Sequence, residues 1–140
     1  MSPIFEKLNL KNQREIVVVN APASFEPDLR TLKDVRVLRD PRDAAAIDFA
    51  LVFAQRQVEV DAIANQLVGK AAGDALIWFA YPKGTSKRYR CDFNRDTGWD
   101  VLRDAGFDTV RQVAIDEDWS ALRFRRIAYI KSSSSGKTKA

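Results

Sequence analysis

Ala75-Leu76-Ile77-Trp78-Phe79-Ala80 is an unbroken apolar run that no half-wet element can house. As a strand over 75–81 it is apolar on both faces, which places it in the middle of a sheet covered on each side by helices. The next segment, Tyr81 to Arg95, switches abruptly to cations, hydroxyls and aromatics. Its five basic residues and one acidic residue give it +4, equal to the net charge of the whole chain. A buried strand that delivers such a loop to a sheet edge is the usual way an α/β domain presents a ligand site.

The remaining segments supply a sheet of this kind. Residues 3–8 form a helical turn or packed arm anchored by Ile4, Phe5 and Leu8. Glu15 to Asn20 is β-branched and closed by Ala21-Pro22, a buried first strand. A short helix is predicted over 25–33, with Pro27 in its first turn, and weaker and stronger strands over 35–38 and 47–54. Asp40-Pro41 offers an N-cap followed by a first-turn proline. Residues 56–71 carry Val60, Ile63, Ala64, Leu67 and Val68 on one helical face, with Gly73 just beyond the end. Thr97 and Asp100 have capping-box spacing for a helix that stops at Gly106. Strands over 107–116 and 121–130 are joined too closely to be anything but antiparallel. The spacing predicts one three-layer, Rossmann-like α/β domain over 1–131. Its sheet is mostly parallel with a C-terminal antiparallel hairpin, strand order 2-1-3-4-6-5, and 132–140 is a disordered, serine-rich tail.

Composition removes several chemistries. With 140 residues the chain fits a single core. It has no histidine and one cysteine, Cys91. Histidine-dependent nucleophile activation and nitrogen- or sulfur-ligated metal sites therefore fall away, and no metal or cofactor is expected. One cysteine, no signal-peptide core and no run of about 18 apolar residues point to a cytoplasmic protein that does not engage membranes. The pI near 9.4 supports electrostatic attraction to polyanions in general.

Each candidate motif has a plainer competitor. Gly136-Lys137-Thr138 mimics the end of a P-loop, but the first glycine of that motif would fall at Lys131, so the match fails. Asn20 and Asp40 end the first two strands, where Rossmann proteins hold ribose and phosphate. The turn Ala21-Pro22-Ala23-Ser24 has no glycine to let a pyrophosphate approach, and Asp40 is explained by capping. Lys83, Thr85, Ser86, Lys87, Arg88 and Arg90 match phosphate or carboxylate oxygens, and Tyr81, Tyr89 and Phe93 offer stacking faces. A solvated loop is the plainer reading of the same charges. Cys91 reads as a packed side chain. Asp116, Glu117 and Asp118 read as a turn before Trp119-Ser120, with Trp119 packed on Trp99 or the sheet. Ion pairs from these acids to the basic loop would account for both clusters without a ligand.

Tyr81-Pro82-Lys83 with Ser86, and Val113 through Leu122 with its Asp116-Glu117-Asp118-Trp119-Ser120 core, resemble a bacterial family known as domain of unknown function 3052. Asp92 stands for the acid between its two blocks. That resemblance implies a conserved α/β domain and no particular reaction. The layout is also similar to the C-terminal half of Rossmann-type methyltransferases, which end in a like helix and hairpin, but their glycine-rich cofactor loop is missing. The expectation is therefore a non-catalytic binding or interaction module without catalytic residues. Its anionic ligand (a nucleotide, a nucleic acid or an acidic protein) meets Asn20, Ser24, Tyr81, Lys83, Thr85, Ser86, Lys87, Arg88, Asp116 and Trp119. The alternative is a divergent methyltransferase-like transferase.

Overall fold

Period-two alternation decides which way each strand faces. In the computed structural model, which describes residues 1–130, the chain runs α1 (Ile4–Lys7), β1 (Glu15–Val19), α2 (Glu26–Leu29) and β2 (Arg36–Leu38). It continues through β3 (Ile47–Phe53), α3 (Gln57–Leu67), β4 (Ala71–Pro82), α4 (Asp100–Asp104), β5 (Phe107–Ala114) and β6 (Trp119–Arg126). The six strands form one sheet in the order β2-β1-β3-β4-β6-β5, as the sequence predicts. β1 pairs in parallel with β2 and β3, and β3 with β4, whereas β6 is antiparallel to both β4 and β5. The serine-rich segment 132–140 lies outside the described residues. Among those described, no helix is long and apolar enough to cross a membrane.

β4 is the central strand, buried from Ala75 to Pro82. Ile77, Phe79 and Tyr81 join one core with Val60, Ala64 and Leu67 of α3 and with Trp99 and Leu102 beside α4. Leu76, Trp78 and Ala80 face the opposite core, built with Ile4, Phe5, Leu8, Phe25 and Leu29. Trp78 has no exposed surface, and its Nε1 donates to the carbonyl of Leu8 at 2.9 Å. That bond fastens the N-terminal arm across the sheet.

Several boundaries differ from the sequence reading. α2 is only one turn, preceded by a 3₁₀ turn at Ala23–Phe25. α3 ends at Leu67 rather than near residue 71, because the chain is drawn into the sheet: Ile47 N–H donates to the Lys70 carbonyl, and Ala71 already pairs with Ile47. Lys70 Nζ also donates to the carbonyls of Pro41, Arg42 and Ala44. Gly73 consequently lies in β4, where a register shift intervenes before Leu76 pairs with Phe49. Thr97 does not cap α4. Gly98, with φ of +93°, turns the chain so that Trp99 takes the cap position and enters the core. A Cβ on Gly98 would collide with the Gln57 amide and crowd Phe93, so only glycine fits there. Gly106 ends α4 with φ of +93°, as expected of a C′ residue. β5 and β6 are shorter than predicted, and a 3₁₀ turn at Ile127–Tyr129 follows β6.

Trp78→Asp places an unpaired charge in a fully buried site and should leave no folded protein, read as loss of a cooperative urea transition. Trp78→Phe keeps an aromatic side chain but leaves a void and orphans the Leu8 carbonyl, an expected loss of at least about 1–3 kcal/mol in the same measurement. A cooperative, near-native Trp78→Asp would contradict this placement.

Candidate functional site

The C-terminal ends of parallel strands gather on one side of a sheet, and ligands of open α/β sheets sit there. Here that edge collects the exits of β1, β3 and β4 together with the β5–β6 turn, since Trp119 pairs with Pro82. The loop after β4 is fastened to that turn by hydrogen bonds. Lys83 N–H donates to the Asp118 carbonyl at 2.8 Å, and Ser86 Oγ donates to Asp118 Oδ1 at 2.9 Å. Ser86 Oγ in turn accepts from the N–H groups of Arg88 and Tyr89. Asp116 Oδ1 accepts from the N–H groups of Asp118 and Trp119, which closes the turn. Tyr89 then lies on Trp119 with ring centroids 4.9 Å apart, and Trp119 lies against Phe53 at 5.1 Å.

This arrangement encloses a cavity of about 570 Å³ whose walls include Tyr81, Lys83, Lys87, Tyr89, Arg90 and Phe93. Ser86 also borders it. Among the described residues, no carboxylate lies within ion-pairing distance of Lys83, Lys87, Arg88 or Arg90. Asp116 Oδ1 accepts from backbone N–H groups and Asp118 Oδ1 from Ser86. Among the described residues neither acid pairs with these cations, so the competing reading in which they neutralise the loop is not met. Burial pushes the Cys91 thiol up, against a smaller opposing effect from the Phe93 N–H, which suits a packed side chain over a nucleophile. Burial likewise raises the Tyr81 hydroxyl, which accepts from Gln112 Nε2 at 2.9 Å.

The structure brings together Tyr81, Lys83, Ser86 and Lys87 but not the whole predicted set. Ser24 and Asp116 border a separate depression of about 390 Å³, beside Asp28 and Ile115. Asn20, Thr85 and Arg88 border neither cavity. Trp119 is buried as a support for Tyr89, on the opposite face of the sheet from Trp99. Convergence of the loop cations with Asn20 and Ser24 is therefore corrected: the loop folds against the β5–β6 turn, to which Ser86 and Asp118 commit it.

Two acids that sequence reasoning left out of the site shape its other wall. Glu59 Oε1 accepts from the N–H groups of Gln55 and Arg56, and Asp92 Oδ1 accepts from Gln57 N–H at 2.7 Å. Together they satisfy the N-terminus of α3 with internal carboxylates, where a bound anion would otherwise be attracted. Both border a second cavity of about 510 Å³ that shares Arg90 and Cys91 with the first. Glu59 stands three residues after Arg56, a spacing that reads as a capping box only when serine or threonine leads it. Asp92 lies 35 residues from its partner, so nothing local announces it.

The crevice between β1 and β3, where strand order reverses, is altered as well. Asn20 leaves β1 with φ of +59°, the left-handed conformation usually given to glycine, and Ala21, Pro22 and Ala23 follow with side chains in place. Asp40 caps the next turn through Arg42 N–H, and both its oxygens also accept from the Arg42 guanidinium. These bonds hold its carboxyl down to about 2 from an ordinary 3.8.

Comparison with solved structures places this edge in context. A SAM-dependent methyltransferase from Aquifex aeolicus aligns over 88% of this chain and 87% of its own, with a TM-score of 0.61 at 13% identity. Magnesium protoporphyrin IX methyltransferase (ChlM) from Synechocystis PCC 6803, solved with bound SAH, aligns over 88% and 78%, with a TM-score of 0.56 at 12% identity. The [4+2]-cyclase SpnF aligns over 88% and 78%, with a TM-score of 0.58 at 11% identity. No family model and no curated protein matches the chain. The fold is thus the Rossmann-like fold of SAM-dependent methyltransferases. These neighbours overturn the expectation of a non-catalytic module and agree better with its methyltransferase-like alternative.

Two measurements check the site. Ser86→Ala removes the hydroxyl that joins Asp118 to the Arg88 and Tyr89 N–H groups, so trypsin should cut at Lys87 and Arg88 several-fold faster. An unchanged rate would mean that something else holds the loop. Asp40 has a depressed folded pKa, so its stabilising contribution is complete above about 3.8 and disappears as pH falls through about 2. In Arg42→Gln its midpoint should climb back toward 3.8 by carboxyl NMR.

Proposed function

We propose that this chain is a divergent methyltransferase-like transferase of the cytoplasm whose small-molecule site has shifted from the β1 crevice to the exit of β4. The observation that carries the reading is the cavity at that exit, with Lys83, Lys87 and Arg90 free of carboxylate partners among the described residues. Such cations match a phosphate or carboxylate on the substrate, and Tyr89 and Phe93 offer faces to its body. Ser86 and Asp118 position the loop. Membership in the domain of unknown function 3052 family is part of the proposal. It is supported by the meeting of the two sequence blocks that carry the resemblance, through the Ser86–Asp118 and Lys83–Asp118 bonds.

S-adenosylmethionine is the cofactor the fold implies, and the residues here do not fit it in the β1 crevice. The exit of β1 carries side chains where close backbone approach is needed, and Asp40 already holds Arg42 with both oxygens. No transfer step from that donor is therefore assigned. Fold similarity alone leaves the reaction open, since one fold hosts many chemistries.

Calorimetry with S-adenosylmethionine and S-adenosylhomocysteine should show no low-micromolar binding, and such binding would restore the β1 crevice as the donor site. A thermal-shift panel of nucleotides, sugar phosphates and carboxylic acids should yield stabilising compounds. The stabilisation should vanish in Lys83→Glu/Lys87→Glu. Stabilisation that survives the double substitution would remove the β4 exit from consideration.

A further inference from the structure

The face of the sheet that carries Trp78 is covered unevenly. The N-terminal arm and Phe25 pack over β1, β3 and β4, and the apolar cluster extends to Trp119, Ala121, Val113 and Ile115 at one end of the β5–β6 hairpin. One step further along the hairpin the same face turns basic. Val113 pairs with Ala121, so two residues along, Arg111 pairs with Arg123, and Arg125 follows on the same side. Directly opposed like charges destabilise an antiparallel pair, and a sheet edge has no structural need of them.

Two carboxylates stand near the cluster, and both are engaged. Asp108, opposite Arg125 in the ladder, accepts from Thr109 N–H and lies 3.6 Å from Arg103 Nε. Asp74 accepts from Nε and Nη2 of Arg125 at 2.8 and 2.7 Å, a two-pronged contact. Arg111 and Arg123 form no ion pair among the described residues. Arg123 is half-buried, and its Nε is buried with no hydrogen-bond partner. Burial, together with Arg125 and Arg111 nearby, makes its positive charge less favourable than usual. An unpaired, partly desolvated guanidinium beside a second one is a standing cost that a bound anion would remove.

We propose that this hairpin face binds the phosphodiester backbone of a nucleic acid, with Arg111 and Arg123 contacting phosphates. The inference is independent of the transferase reading. Strand geometry spaces the donors suitably: Arg111 and Arg123 stand about 5 Å apart across the ladder, and Arg125 about 7 Å further along. A protein partner fits less well. Stable protein interfaces centre on buried aromatic or aliphatic anchors, whereas the centre of this patch is guanidinium. Phosphate contacts need no such anchor, and arginine forks match them in pairs.

The test is fluorescence anisotropy of a labelled oligonucleotide, as single strand and as duplex, at rising salt. Wild-type protein should bind at about 50 mM salt and lose most of its affinity by about 200 mM. Arg111→Gln/Arg123→Gln should weaken binding about tenfold or more and flatten the slope of log affinity against log salt by about 1.8 on the duplex. Lys11→Gln/Lys33→Gln removes the same charge from the opposite end of the sheet and should leave binding nearly unchanged. Arg111→Glu sets opposite charges face to face across the ladder, so it should raise the melting temperature while abolishing binding. Absence of wild-type binding at low salt would overturn the proposal, as would equal losses in the two double variants. Displacement of the oligonucleotide by polyglutamate at equal charge concentration would overturn it too, in favour of an acidic protein.

Discussion

The rest of the molecule depends on β4 being dry on both faces. A strand whose alternate residues are Ile77, Phe79 and Tyr81 on one side and Leu76, Trp78 and Ala80 on the other needs two independent covering layers. α3 and α4 supply one, and the N-terminal arm with Phe25 supplies the other. Full burial of a large apolar side chain is worth about 1.5–3 kcal/mol, so this strand alone outweighs the local preferences of the short helices around it. β4 is also hydrogen-bonded on both edges, in parallel to β3 and antiparallel to β6. A loop leaving it must therefore share its edge of the sheet with the β5–β6 turn.

That shared edge explains why the basic loop keeps its charge. Opposite charges lie close in space, yet Asp116 and Asp118 are occupied in shaping the turn and holding Ser86. Hydrogen bonds from backbone N–H groups to a carboxylate are directional and short. They fix the acids in positions from which the lysines and arginines are out of reach. The loop gains order from the acids without losing its electrostatic potential, and a water-accessible cavity bordered by three cations is the result.

The similarity to methyltransferases covers the scaffold, while the details of the edge have diverged. Where the fold ordinarily offers bare backbone and a free helix N-terminus, this chain presents Asn20 through Ala23, an Asp40 bound to Arg42, and Glu59 and Asp92 capping α3. Asp40, Glu59 and Asp92 each satisfy backbone donors, and Asp40 also pairs with the Arg42 guanidinium.

The sequence by itself determined the sheet. Apolar runs of strand length, helical spacing within 56–71 and the short link after β5 mark the elements and the antiparallel hairpin, because those patterns act within a few residues of one another. The order 2-1-3-4-6-5 proposed from them is the one observed. The sequence also showed Tyr81 to Arg95 as a dense run of charge after a buried strand, which is visible without coordinates. Only the tertiary structure decided which residues share a site. Asn20 and Ser24 lie apart from Lys83 and Lys87 because Ser86 commits the loop to Asp118, a partner 32 residues away. Asp92 meets the N-terminus of α3 across 35 residues, and Arg111 faces Arg123 only through the hairpin register. Such pairings depend on where the chain returns after long excursions, which is set by packing of the whole core and leaves no trace in local spacing.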